Sequence, residues 1–308
     1  MKAPLYLDIA DVPTGGAAFF VTTSDNKRIR FALWQGGSRG TILLFPGRTE
    51  YIEKYGIVIA RLITLGFAVV VIDWRGQGLS TRPDKSTGLG HVDDFAEYQE
   101  DIAAVLAHDA LANLPSPGIL IAHSMGGCIG LRALHEGLGV AGAIFSAPMW
   151  GINPPRLSRP FAPYIARLLN KFGYGRRHVP GADAAYYVHS VGFNKNALTS
   201  DPLCYARLVT QLGQHPELGL GGPGVAWVDA AFQETDALMS MAPPLLPIET
   251  WIGSDETVVS IGAIEGFHKM SASSALHQCT GARHELFFEN DTVQHELWAG
   301  IEKFLARF

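Results

Sequence analysis

The 308-residue sequence predicts an α/β protein with a mostly parallel central sheet flanked by helices and a helical cap insertion. Short apolar runs alternate with stretches of helical character, which is typical of strands buried on both faces of a parallel sheet. The alternation stops once, and this interruption predicts the insertion. The predicted strands are residues 41–45, 67–72, 118–122, 140–145 and, less clearly because of a proline and a glutamate, 246–253.

The interruption divides the chain into three parts. Residues 148–238 hold no comparable buried strand and are rich in proline, arginine and aromatic residues. We therefore expect a mostly helical cap there, inserted between the first part of the core (residues 1–147) and the second (residues 239–308). A helix is expected over residues 292–308, where apolar side chains recur on one face.

Composition excludes several classes of function. The 24 basic residues against 29 acidic ones argue against nucleic-acid binding. No apolar run approaches the roughly 18 residues that cross a bilayer, and the N-terminus does not resemble a secretory signal. Three widely spaced cysteines suit a reducing compartment, so a cytoplasmic location is expected. No metal or nucleotide motif is present, and neither a metal nor another cofactor is expected.

The strongest chemical signal is a serine at a strand-to-helix turn, in the sequence AHSMGG at residues 122–127. Such a turn lifts the serine hydroxyl above the sheet, and small neighbours prevent clashes. Ser124 is therefore the candidate nucleophile. The backbone N–H of Met125, at the start of the helix, is a candidate donor to a developing oxyanion.

A serine nucleophile needs a base that is itself oriented by a carboxylate. His284 is the best-placed base because it follows the last core strand, and His277 and His295 are its rivals. The acid is expected on the turn after the strand at residues 246–253. Asp255 and Glu256 are adjacent there, and spacing alone does not choose between them.

A second oxyanion donor is expected from the turn FPGRTE at residues 45–50. Gly47 allows a tight turn, after which the backbone N–H of Arg48 is expected to face the site. One such donor typically contributes about 10²–10³ in rate.

Taken together, these motifs resemble α/β-hydrolases of the lysophospholipase and monoacylglycerol lipase group, and most of all its bacterial lysophospholipase branch. The matching segments run in order over nearly the whole chain, and the resemblance implies the α/β-hydrolase fold. They are PGRTE (46–50), EKY (53–55), DWRGQGLS (73–80), HSMGG (123–127), GGP (221–223) with Trp227, residues 253–259, and His284 with Glu285.

The resemblance also implies roles for individual residues. It makes Ser124 the nucleophile and His284 the base. The group's acid stands fourth in a Gly-x-x-acid-x-x-Val pattern. Gly253 and Val259 frame that pattern here, which favours Glu256 over Asp255.

The amides of Arg48 and Met125 form the oxyanion hole by the same resemblance. Two positions depart from the usual pattern, because Pro46 replaces a histidine and Ala122 replaces a glycine. Neither departure removes a catalytic group.

These observations predict a cofactor-free serine hydrolase that cleaves the fatty-acyl ester of a lysophospholipid or a monoacylglycerol through an acyl-enzyme. The alternatives are a carboxylesterase for small non-lipid esters and a non-catalytic lipid-binding relative. The cap is expected to supply an apolar acyl tunnel, with Trp150, Phe161 and Tyr164 near its mouth.

The predicted cap also carries a basic segment, since no acidic residue lies between Glu136 and Asp183. Residues 163–172 place apolar side chains at helical spacing, with the basic ones elsewhere on the helix. Such a helix either contacts an anionic lipid surface or packs its apolar face on the core. The basic residues are Arg156, Arg159, Arg167, Lys171, Arg176 and Arg177, and the apolar ones are Ile165, Leu168, Leu169 and Phe172.

Overall fold

The computed structural model describes residues 1–82, 88–154 and 160–308. In this part of the chain one eight-stranded sheet has the order β1-β2-β4-β3-β5-β6-β7-β8. The β1–β2 and β2–β4 pairs are antiparallel, and the other pairs are parallel. The strands are β1 (Ala17–Thr22), β2 (Arg28–Trp34), β3 (Thr41–Phe45), β4 (Ala68–Asp73), β5 (Gly118–His123), β6 (Gly142–Ser146), β7 (Ile248–Gly253) and β8 (Ser274–Cys279).

Helices connect these strands and pack on the sheet. Helix α2 contacts β4, α4 contacts β3 and β5, and α9 and α10 contact β8. The helices are α1 (Leu7–Ala10), α2 (Gly56–Thr64), α3 (Glu97–Leu106), α4 (Met125–His135), α5 (Ala162–Leu169), α6 (Tyr187–Ser190), α7 (Pro202–Gln214), α8 (Val225–Met239), α9 (Ile261–Met270) and α10 (Asp291–Leu305).

The predicted fold class is confirmed, and the five predicted strands are present within one or two residues of their expected ends. Three further strands were not predicted. Strand β2 carries Arg30, a residue that is rare in a buried strand but is neutralised here by Glu53 at 2.8 Å and Asp73 at 2.7 Å. Strand β8 is a partly exposed edge strand with polar side chains, so it lacks the apolar signal of the central strands.

The sheet register places the ends of the central strands side by side. Phe45 pairs with Ala122, and Ser146 pairs with both His123 and Trp251. Because parallel strands end at the same edge of a sheet, the loops that follow β3, β5 and β7 meet there. That edge carries the candidate site.

Between β6 and β7 the described residues form helices α5 to α8, and their only strand pairing consists of isolated bridges, Ile152 with Val259 and His178 with Gly224. Helix α5 packs against α8. Two basic residues of the predicted cap, Arg156 and Arg159, lie outside the described residues. Nowhere in the described ranges does a helix combine the length and apolarity needed to cross a bilayer.

Helix α4 begins in direct contact with the end of β3. A Cβ atom placed on Gly126 would lie 2.2 Å from the carbonyl oxygen of Phe45 and 2.5 Å from that of Pro46. Both distances are shorter than any van der Waals contact, so only glycine lets the two backbones approach this closely.

We expect Gly126→Ala to lower the free energy of unfolding by about 1–3 kcal/mol or more, because backbone atoms cannot move aside. Gly266→Ala is the matched control, since Gly266 is also helical but a Cβ added there would have no atom within 4 Å. At that position, alanine should stabilise by about 0.5–1 kcal/mol through its higher helix propensity. Urea unfolding of both variants measures the difference, and equal effects would contradict the close-approach argument.

Candidate active site

Ser124 occupies the turn between β5 and α4 with φ 51° and ψ −118°. A positive φ is costly for a residue with a side chain, so the surrounding structure must hold it. The neighbouring segment does so. The Ser124 N–H donates to the Ser146 carbonyl at 3.0 Å, and the Ser124 carbonyl accepts from the Met149 N–H at 2.9 Å. The first motif position, Ala122, is fully buried.

The Ser124 hydroxyl is within hydrogen-bonding distance of His284, which in turn contacts Glu256. The distance is 2.8 Å from Ser124 Oγ to His284 Nε2 and 2.6 Å from His284 Nδ1 to Glu256 Oε2. All three side chains are buried. This is the geometry in which a base takes the proton of a nucleophile while a carboxylate orients the base.

The structure separates the two candidate acids. The second oxygen of Glu256, Oε1, accepts hydrogen bonds from the N–H groups of Val258 and Val259, which hold the carboxylate toward His284. Asp255 is exposed, and its carboxylate accepts a hydrogen bond from Ser254 Oγ at 3.0 Å. Only Glu256 is in contact with the base.

The two rival histidines lie elsewhere. The ring of His277 stacks on Trp251, with 4.2 Å between centroids, and its Nε2 is 3.5 Å from a carboxylate oxygen of Glu249. His295 is exposed on α10. Neither is hydrogen-bonded to Ser124.

The mutual interaction of His284 and Glu256 favours the ionised form of Glu256. Burial by itself lowers the pKa of His284, but the adjacent Glu256 carboxylate raises it further, so this pKa lies above its ordinary value. Burial raises the pKa of Glu256, and His284 with the two backbone N–H donors reverses that effect, so this pKa lies below its ordinary value. The carboxylate is therefore available to stabilise an imidazolium.

The turn after β3 and the start of α4 place two backbone amides beside Ser124. A Cβ on Gly47 would lie 3.1 Å from Ser124 Cβ, so the turn after β3 passes directly over the nucleophile. The N–H groups of Gly47 and Thr49 donate to the side chains of Glu50 and Gln77. Within the described residues the N–H groups of Arg48 and Met125 have no acceptor.

A buried cluster of charged side chains supports this turn, and none of its members was predicted as a site residue. Glu50 accepts hydrogen bonds from the Gly47 N–H and, at 2.6 Å, from the Tyr55 hydroxyl. Lys54 Nζ lies 2.6 Å from Glu50 and 2.7 Å from Glu285, the residue after His284. Burial alone raises the pKa of Glu50, but Lys54 more than offsets this and holds it at about 2. In the sequence, the i,i+4 spacing of Glu50 and Lys54 is the pattern that could have predicted this ion pair.

His123 stands next to the base, with 4.8 Å between its ring centroid and that of His284. Burial lowers the pKa of His123 to about 4, so its ring is neutral near pH 7. Its Nδ1 lies 3.0 Å from the Ser146 carbonyl oxygen. His123 therefore places no positive charge beside the base, His284.

The three predicted substrate contacts differ in their exposure to solvent. Trp150 is fully buried between the rings of Phe145 and Phe267, and its indole N–H donates to the Gly127 carbonyl at 3.2 Å. It lines a cavity of about 490 Å³ whose walls include none of the three residues Ser124, His284 and Glu256. Phe161 and Tyr164 are exposed to solvent, at 62% and 75%.

The fold and this site define a serine hydrolase of the α/β-hydrolase class. A family model described as "Serine aminopeptidase, S33" (Hydrolase_4) matches residues 36–291, and the chain belongs to this family. The predicted family and the predicted class of enzyme are thereby confirmed.

Individual proteins are similar to this chain in sequence or in fold. The chain is 28% identical to lysophospholipase L2 of Escherichia coli over 302 residues, which cover 93% of this chain and 86% of that protein. The solved structure of a soluble variant of Saccharomyces cerevisiae monoglyceride lipase, with a substrate analogue, superposes with a TM-score of 0.75 at 23% identity, covering 96% of this chain and 98% of that one. Monoacylglycerol lipase of Paleococcus ferrophilus gives a TM-score of 0.69 at 20% identity, covering 90% and 98%.

We expect Glu256→Gln to lower kcat by about 10⁴-fold, the loss seen when an amide replaces the acid of a serine protease triad. The amide leaves the imidazole in a tautomer that cannot accept the serine proton. Asp255→Asn, the adjacent control, should retain activity. Loss of activity in Asp255→Asn with retention in Glu256→Gln would reverse the assignment.

The pH profile of wild-type kcat/KM should fall on the acid side with a midpoint above about 6.5, the ordinary pKa of histidine. The base acts in its neutral form, and the raised pKa of His284 means that protonation disables it at a higher pH than usual. Rates on a soluble short-chain ester over a range of about pH 5–9 measure the midpoint, and a midpoint well below about 6 would contradict the argument.

Proposed function

We propose that this protein hydrolyses the fatty-acyl ester of a single-chain lipid, a lysophospholipid or a monoacylglycerol, through an acyl-enzyme. The observation that carries the proposal is the pair of hydrogen bonds that connects Ser124 Oγ to His284 and His284 to Glu256. Beside them, the N–H groups of Arg48 and Met125 have no acceptor among the described residues. The names of the relatives, lysophospholipase L2 and monoglyceride lipase, support a lipid ester as the substrate.

In the first half-reaction, Ser124 Oγ attacks the acyl carbonyl carbon and its proton passes to His284 Nε2. Glu256 stabilises the resulting imidazolium, and the amides of Arg48 and Met125 bind the tetrahedral oxyanion. The carbon–oxygen bond to the alcohol then breaks, and His284 returns the proton to the leaving oxygen. Water repeats these steps on the acyl-enzyme and releases the fatty acid.

Ser124→Ala should abolish hydrolysis of both a short acyl ester and a lysophospholipid, because the residue that forms the acyl-enzyme is gone. Wild-type protein, but not this variant, should react with a fluorophosphonate probe. Rates of wild-type protein on esters of increasing acyl length then separate the lipid substrate from the small-ester alternative. A steady fall with chain length would favour a carboxylesterase, and full activity in Ser124→Ala would overturn the mechanism.

We also propose that α5 and the residues after it contact an anionic lipid surface. Three of the four apolar side chains named above are exposed and do not pack on the core, with Phe172 at 70%, Leu168 at 55% and Ile165 at 48%. The basic side chains of Arg167 and Lys171 are exposed on the same segment. Only Ala166 of this helix is buried, and α5 packs against α8. An exposed apolar stripe flanked by cations suits the headgroup region of a membrane.

The double variant Leu168→Ser/Phe172→Ser should bind phosphatidylglycerol vesicles at least about tenfold more weakly, since burying each side chain contributes roughly 1.5–3 kcal/mol. Leu245→Ser is the control, because Leu245 is 94% exposed but lies outside residues 148–238. Sedimentation with vesicles measures binding, and thermal unfolding confirms that each variant is folded. Equal binding by the double variant and wild type would contradict surface contact.

A further inference from the structure

The side chain of Arg48 is a cation without a carboxylate partner in the part of the chain that the structure describes. The buried arginines of the core are neutralised, Arg30 by two acids and Arg75 by three. Arg48 Nη2 instead donates to the Gly221 carbonyl at 3.1 Å, and its Cζ lies 5.0 Å from the centroid of the Trp227 ring. Among the described residues, its Nε is buried without a hydrogen bond.

This cation lies beside the reacting centre. Arg48 follows Gly47, the residue that passes directly over Ser124, and its own amide is one of the two oxyanion donors. Its guanidinium lies over the ring of Trp227, a residue of α8. The guanidinium is thus held between the oxyanion turn and α8.

The charge is retained and only partly shielded. Burial lowers the pKa of Arg48 to about 10, which still leaves the guanidinium protonated near pH 7. The side chain as a whole is half-buried, and Nη1 donates no hydrogen bond to a described residue. A desolvated charge without a counter-ion is unfavourable, and an anion that binds it offsets part of that cost.

We propose that the Arg48 side chain binds the phosphate of a lysophospholipid headgroup, so that the enzyme prefers lysophospholipids to monoacylglycerols with the same acyl chain. This inference rests on the proposed function. In a lysophospholipid the phosphate is on the same glycerol whose ester oxygen is the leaving group. A single residue can therefore serve both groups, with its amide at the acyl carbonyl and its planar guanidinium at the phosphate oxygens. A monoacylglycerol offers this cation no charge.

The experiment compares kcat/KM for an acyl lysophosphatidylglycerol and for the monoacylglycerol with the same acyl chain. In Arg48→Gln, which keeps the backbone amide, the value for the lysophospholipid should fall about ten- to hundredfold more than that for the monoacylglycerol, the size expected for a hydrogen bond to a charged group. Arg48→Lys should retain part of the preference. Equal losses on both lipids, or a wild-type enzyme without the preference, would overturn the proposal.

Arg82→Gln is the matched control. Arg82 also has no ion pair among the described residues and holds the same loop as Arg48, with hydrogen bonds to the carbonyls of Gly219 at 2.7 Å and Leu218 at 3.1 Å. If Arg48 served only to hold this loop, both variants would change the two rates alike. We expect Arg82→Gln to leave the ratio between the two lipids unchanged, and an equal change in that ratio would overturn the headgroup role.

A binding measurement separates this inference from the proposed function. Ser124→Ala is titrated calorimetrically with an ether-linked lysophospholipid and with the alkylglycerol of the same chain. Tighter binding of the phosphate analogue that Arg48→Gln removes supports the inference even if neither ester is hydrolysed, and equal binding contradicts it.

Inorganic phosphate tests the other source of the anion. If it alters monoacylglycerol hydrolysis through Arg48 while the two lipids are cleaved equally, the ligand is the free ion and the headgroup proposal fails.

Discussion

The close approach of α4 to the end of β3 is the constraint on which the site depends. Because Gly126 has no side chain, the first turn of the helix lies against the carbonyl groups of Phe45 and Pro46. This contact brings the strained turn at Ser124 under the loop that follows β3. Two amides from distant parts of the chain, those of Arg48 and Met125, are therefore left beside the nucleophile. A larger residue at position 126 would separate them.

The buried charged residues of this protein differ in whether a residue of opposite charge neutralises them. The core arginines and the Glu50–Lys54–Glu285 cluster are buried with partners of opposite charge, which suits groups that hold loops in place. The pair of His284 and Glu256 is also buried, but its hydrogen-bonded line ends at the Ser124 hydroxyl. Arg48 differs from both, since no carboxylate of the described residues neutralises its positive charge. That difference is the basis for assigning it a substrate group.

The solvent-exposed side of helix α5 has an unusual composition. Helix α5 exposes apolar side chains that amphipathic helices in soluble proteins usually bury, and it carries basic residues beside them. A lipid with an acyl chain and an anionic headgroup is complementary to both features. The exposed surface of α5 and the charge of Arg48 therefore point to one class of ligand.

The sequence by itself determined the fold class, the nucleophile turn and the order of the motifs, because continuous apolar strands and a serine between strand and helix are local patterns. It also predicted His284 as the base and the turn after β7 as the position of the acid. The resemblance already favoured Glu256 over Asp255, but only the tertiary structure brings Glu256 into contact with His284, places Trp150 in the core, and exposes apolar side chains of α5. These features depend on contacts between segments far apart in the chain, such as Glu256 with His284 or Trp150 with Phe267. That no described carboxylate pairs with Arg48 is likewise visible only in three dimensions, because pairing is decided by distance in space and not by spacing along the chain.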